Sequence, residues 1–154
     1  MTNVKIKRKM LTKEEKIFEI LGVDDIPKDN DLHAAEVRMI RRGLPITAFK
    51  QVASFYDISE SEVAALLGTS DRTIYRYQKE HKPLNANWSD RLFRLARIAA
   101  RATEVFESAE TARKWLKRSN RALSGATPVE MLDTDAGAEQ VNELLTRIDY
   151  GVYS

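Results

Sequence analysis

Apolar residues recur every three or four positions along most of this chain, and the strict alternation a strand needs is nearly absent. Thr12 followed by Glu15 has capping-box spacing and opens a helix carrying Ile17, Phe18, Ile20 and Leu21, which Gly22 stops. A second helix, from about Asp31, carries Leu32, Val37 and Ile40 and ends at Gly43. Pro45 suits the first turn of a third helix whose Ile46, Phe49, Val52 and Phe55 face a core. Residues 81–87 hold a proline and two asparagines that interrupt the periodicity. Beyond them Ser89 is positioned to cap a long helix with an apolar stripe of Leu92, Leu95, Ala96, Ala99, Ala102 and Phe106. A shorter helix from about Ala109 carries Ala112, Trp115 and Leu116, and Thr127-Pro128 with Glu130 signals another helix start. The last helix runs from about Asp135, buries Val141, Leu144, Leu145 and Ile148, and stops at Gly151. The pattern predicts an all-α fold.

Residues 59–78 are the most informative stretch. Ser59 and Glu62 form a capping box. Ala64 is small where two helices must cross, Gly68 permits a left-handed turn, and Ile74 is spaced to pack back on Val63 and Leu67. Ser70 then caps a second helix whose first turn exposes Asp71, Arg72 and Thr73, with Tyr75 and Arg76 on the same side. This is the pattern of a helix-turn-helix, and in one, Arg72 or Arg76 could pair with guanine in a major groove. Lys79, Lys82 and Arg91 are candidates for phosphate contacts, opposed by Glu60, Glu62, Asp71 and Glu80. The DNA-facing set is therefore Ser70, Asp71, Arg72, Thr73, Tyr75, Arg76 and Lys79. The opposing charges predict weak binding by a monomer, and a homodimer presenting two such helices one DNA turn apart remedies it.

Composition narrows the chemistry. The 154 residues are 43% hydrophobic and 31% charged, enough for a packed core. With no cysteine there is no disulfide, thiolate nucleophile or cysteine-based zinc site. His33 and His81 are far apart in sequence, so no metal site is expected. No histidine stands beside a serine in a recognisable elbow and no glycine loop is built to cradle phosphate, so no catalytic residues, no enzymatic activity and no cofactor are expected. The basic start of the chain lacks the apolar run of a signal peptide, and no stretch is long enough to span a membrane, which suggests a cytoplasmic protein. Net charge is only +2, but Lys5, Lys7, Arg8, Lys9, Lys13 and Lys16 crowd one end, while Glu130, Asp133, Asp135, Glu139, Glu143 and Asp149 gather near the other. Such asymmetry suggests two kinds of partner, one of them polyanionic.

A helix-turn-helix regulator needs no further sixty-odd residues of compact helices, so the rest of the chain has another use. Its residues Trp115-Leu116, Asn120, Ala122-Leu123, Gly125, Thr127-Pro128, Leu132, Gly137, Arg147-Ile148 and Tyr150-Gly151-Val152 form an ordered series. With Leu44-Pro45 and Arg72-Thr73 before it, the series resembles the Xre/MbcA/ParS antitoxins over roughly residues 30–154. The resemblance implies a type II toxin–antitoxin system in which an Xre-type helix-turn-helix precedes a small toxin-binding domain. It implies a cognate toxin of the RES type, an enzyme that consumes NAD, and a complex that represses its own operon at an operator. It also implies that Arg147, Tyr150, Gly151, Val152, Tyr153 and Ser154 meet the toxin and obstruct its active site, the tyrosines stacking where a base would lie. A frayed terminus is the alternative for those last residues.

On this reading residues 1–30 form an N-terminal arm and helix suited to dimerisation, residues 31–82 a helix-turn-helix DNA-binding domain, and residues 88–154 a C-terminal toxin-binding domain. The basic arm is a candidate DNA contact or a solvated tail. The rival function is a stand-alone transcriptional regulator whose C-terminal half senses a ligand or dimerises, and it predicts an enclosed apolar pocket between the last helices.

Overall fold

The computed structural model describes residues 11–24 and 31–151. Eight α-helices lie among them: α1 (Lys13–Leu21), α2 (Leu32–Arg42), α3 (Ile46–Tyr56), α4 (Glu60–Leu67), α5 (Asp71–Glu80), α6 (Ala86–Phe106), α7 (Ala109–Leu116) and α8 (Asp135–Asp149). Short 3-10 helices occur at Arg121–Leu123 and Val129–Asp133, and no strand occurs among the described residues. The all-α expectation is met. The basic arm, residues 1–10, lies outside the described residues.

Side chains start nearly every helix. Thr12 and Ser59 complete reciprocal capping boxes with Glu15 and Glu62. Asp31, Ser70, Asn85, Ser108 and Thr134 each accept a hydrogen bond from the N–H three residues on. The long helix α6 therefore begins earlier than its sequence suggests: Asn85, not Ser89, is its cap, accepting from the Trp88 N–H at 2.8 Å. Thr127 and Glu130 do exchange capping-box bonds, at 3.1 and 3.3 Å. They open only the 3-10 helix Val129–Asp133, because Thr134 is already extended and caps α8.

Helix α6 is the spine. It packs against α1, α2, α3, α4, α7, α8 and the 3-10 helix Val129–Asp133. Leu92, Phe93, Leu95 and Ile98 supply bulk, while Ala96, Ala99, Ala100 and Ala102 let neighbouring backbones approach. Phe93 meets Phe18 of α1 edge to face, centroids 6.1 Å apart. The buried Tyr56 hydroxyl donates to the Leu95 carbonyl at 2.6 Å, and burial holds it protonated by pushing its pKa well above the ordinary tyrosine value. One hydrophobic core thus runs continuously from α1 to α8. Val37 does not join it: α2 buries Ala35 and leaves Val37 45% exposed.

Both polar groups of the Leu44 backbone are satisfied by the segment entering α6. Its N–H donates to Ser89 Oγ at 2.8 Å and its carbonyl accepts from the Leu84 N–H at 2.9 Å. Gly43, at φ +95°, lies so near that a Cβ there would stand 2.1 Å from the Leu84 carbonyl oxygen. Ser89 is fully buried, so it serves this bridge rather than a cap. Ser89→Ala strands a buried N–H and is expected to cost about 1–3 kcal/mol in urea denaturation without altering helix content.

Candidate functional site

The turn between α4 and α5 is built as a helix-turn-helix requires. Val63, Ala64 and Leu67 of α4 and Ile74 of α5 are buried together in the core. Gly68 ends α4 at φ +76°, its N–H bonded to the Ala65 carbonyl at 3.0 Å. The Arg91 guanidinium from α6 donates to the Leu67 carbonyl at 2.9 Å, and a Cβ on Gly68 would meet that guanidinium at 2.6 Å. Arg91, a candidate phosphate contact in the sequence, thus also finishes α4. Across the turn, Ser61 Oγ donates to Asp71 at 2.8 Å and Gln78 donates to Glu60 at 3.1 Å, fixing α5 on α4.

The sequence-predicted DNA-facing residues separate into two groups. Ser70 and Asp71 are occupied with structure, Ser70 accepting from the Thr73 N–H at 3.3 Å and Asp71 held by Ser61. Arg72, Tyr75, Arg76 and Lys79 stand exposed along one side of α5, with Tyr75 66% exposed and Thr73 half-buried beside them. Arg72, Thr73, Tyr75, Arg76, Lys79 and Glu80 line a single surface depression. Behind it, Tyr77 is buried, meets Trp88 with centroids 5.2 Å apart, and carries the Lys82 ammonium 4.8 Å above its ring. Trp88 therefore sits at the junction of α5 and α6.

At the other end, α8 lies on α6 and on the 3-10 helix Val129–Asp133. Val141 and Leu145 are fully buried, while Leu144 and Ile148 are half-buried at its edge. Gly137 is required where α8 crosses the preceding chain: a Cβ would stand 1.9 Å from the Met131 carbonyl oxygen. Arg147 is exposed, Tyr150 is 77% exposed, and around Gly151, at φ +68°, a Cβ would meet nothing within 4 Å. The end of α8 thus projects a tyrosine clear of the body. Val152, Tyr153 and Ser154 lie outside the described residues.

Sequence reasoning missed the residues that join the two regions. From α7, Arg113 donates to the Phe55 carbonyl with its guanidinium 5.4 Å from that ring, and Lys117 reaches both the carbonyl and carboxylate of Asp57 at 3.2 and 3.3 Å. They cap the C-terminus of α3, which ends on Asp57 in the left-handed conformation at φ +52°. Nothing in the spacing of Arg113 and Lys117 names a partner some sixty residues away. Trp115 is half-buried against Phe106, centroids 5.5 Å apart, rather than enclosed. Between α4 and the 3-10 helix runs an open groove of about 490 Å³, with Ile58, Ala65, Leu66 and Val129 in its wall. Among the described residues no group of His, Cys, Asp or Glu is arranged to hold a metal, and no helix is long and apolar enough to cross a membrane.

The geometry defines a helix-turn-helix protein with a second helical region built onto the same core. Residues 35–97 match the antitoxin Xre-like helix-turn-helix domain, and residues 101–151 match the antitoxin Xre/MbcA/ParS C-terminal toxin-binding domain. The two matches meet within α6. The chain is 42% identical to the antitoxin Xre of Pseudomonas putida over 80 residues, 52% of this chain and 50% of that protein, so it spans about half that relative's length. It is 29% identical to the antitoxin Xre of Photorhabdus laumondii over 117 residues, 75% of this chain and 79% of the relative. With the Prs ADP-ribosylating antitoxin of Sphingobium sp. it shares 22% over 127 residues, 77% and 80% of the two chains. The chain belongs to the Xre/MbcA/ParS antitoxin family.

An alanine at an ordinary helical glycine stabilises by about 0.5–1 kcal/mol. At position 137 the overlap with Met131 reverses the sign, so Gly137→Ala is expected to lower the melting temperature by several degrees in a calorimetric scan.

Proposed function

We propose that this chain is the antitoxin of a type II toxin–antitoxin system: it binds and neutralises a cognate toxin through residues 88–154 and represses its own operon through the helix-turn-helix. The observation that carries this reading is the match of residues 101–151 to a toxin-binding domain. The exposed end of α8 supports the finer mechanism. Arg147, Tyr150 and Gly151, with Val152, Tyr153 and Ser154 beyond them, enter the toxin's active site, where a tyrosine ring can stack in place of a base. We take the toxin to be of the RES type and to consume NAD. One relative is named for ADP-ribosylation, a chemistry that draws on NAD, which is in keeping with this.

On DNA, Arg72, Tyr75, Arg76 and Lys79 meet the major groove, with Ser70, Asp71 and Thr73 setting the first turn of α5. Two copies place two such helices one turn apart on the operator, and residues 1–30 are assigned to that pairing. In this division residues 31–82 read DNA and residues 88–154 hold the toxin, on a shared core.

Co-expression with the protein encoded beside it tests the reading. The neighbour should arrest growth alone, be harmless with this chain, and co-purify with it; a neighbour that is harmless alone and unbound overturns it. Replacing Arg72 and Arg76 together by alanine should weaken operator binding by at least about tenfold and flatten its salt dependence, read by titration at two ionic strengths, while neutralisation persists. Removing residues 150–154 should leave co-purification intact and abolish rescue of growth.

A further inference from the structure

Along α6, Arg94, Arg97 and Arg101 form a row at spacings of three and four, and each meets a carboxylate. Arg97 pairs with Glu36 of α2. The other two reach opposite ends of α8: Arg94 to Asp135, its first residue, at 3.6 Å, and Arg101 to Asp149, its last, at 3.1 Å. These two clamps are unequal. Asp135 is 93% exposed and lies at the helix N-terminus, where the macrodipole already favours a carboxylate, so its ion pair adds little. Asp149 lies at the C-terminus, where the macrodipole opposes a carboxylate and promotes fraying of the last turn. Both arginines are largely covered, but Asp149 is 44% exposed against 93% for Asp135, its contact with Arg101 is a hydrogen bond at 3.1 Å, and Arg101 is steadied by Glu104 at 3.5 Å.

Past Asp149 the described chain is held by backbone bonds to the last turn of α8. The Tyr150 N–H bonds to the Thr146 carbonyl and the Gly151 N–H to that of Ile148, so the backbone leaves as a continuation of the last turn. Tyr150 lies open, and no atom stands within 4 Å of a Cβ at Gly151. The orientation of the last turn therefore fixes the exit direction, and Arg101 is the charged hold on that turn beside the buried Leu145 and the half-buried Ile148.

We infer that Arg101 is a positioning residue for toxin inhibition: by holding Asp149 it sets the direction in which residues 150–154 leave α8. This rests on the proposal that those residues enter the toxin's active site. Asp149 serves as the handle and need not touch the toxin.

The test measures the inhibition constant of the purified full chain against the toxin encoded beside it, with melting followed by circular dichroism. Arg101→Gln and Asp149→Asn should each weaken inhibition by about five-fold, the scale of one well-placed ion pair, while Tm stays within a few degrees. The exchanged pair R101D/D149R should restore inhibition, and Asp135→Asn should leave it unchanged. Each variant is also made in a chain ending at Asp149, where Arg101→Gln should add no further loss, because the segment it directs is gone. Three outcomes overturn the inference. If the chain ending at Asp149 inhibits as well as the full chain, the occlusion reading itself fails and this one falls with it. If truncation abolishes inhibition but Arg101→Gln inhibits like the unsubstituted chain, occlusion stands and positioning by Arg101 fails. If Arg101→Gln costs the same in both chain lengths, its role is in docking or folding rather than direction.

Discussion

A helix buried on several sides at once is the constraint on which the rest of this molecule depends. Over its 21 residues α6 spans roughly 30 Å, enough to reach from the turn beside α5 to the root of α7. It can accept so many neighbours because its bulky positions alternate with Ala96, Ala99, Ala100 and Ala102, which let backbones close in without leaving voids. Even its buried hydroxyls are accommodated: Thr103 donates back to the Ala99 carbonyl and Ser89 bridges to Leu44. Its Arg94, Arg97 and Arg101 engage the acidic residues of α2 and α8. The region that matches a helix-turn-helix domain and the region that matches a toxin-binding domain therefore share one hydrophobic core.

Much of the fold was legible because helix ends are local. Thr12, Ser59 and Ser70 announce themselves through side chains that reach only three residues, and the structure closes those bonds as the spacing implies. The misreadings came from competition between local and distant partners. Ser89 has the chemistry of a cap, but Asn85 stands a turn earlier and the Leu44 N–H claims the serine hydroxyl. Thr127 and Glu130 make their box, yet the next cap at Thr134 arrives too soon for a full helix. Val37 fits a periodic stripe, but among the described residues it stands 45% exposed on α2.

The candidate surfaces divide along the same line. A row such as Arg72, Tyr75, Arg76 and Lys79 comes directly from helical spacing, and nothing distant intrudes on it. Asp71 and Arg91 belonged to the same neighbourhood in sequence, but each also has a partner visible only in three dimensions, Ser61 for one and the Leu67 carbonyl for the other. The projecting end of α8 was approached through family resemblance rather than periodicity. A tyrosine followed by a helix-ending glycine says where a helix stops, not what its terminus meets.

The bonds from Arg113 and Lys117 to the end of α3 bear on how such a protein changes partners over time. They tie an N-terminal helix to side chains found beyond the spine, so a second half without those two side chains would leave that helix unfinished. Substitutions on exposed positions leave this interior match undisturbed, whereas an exchange of halves keeps it only where both side chains come along.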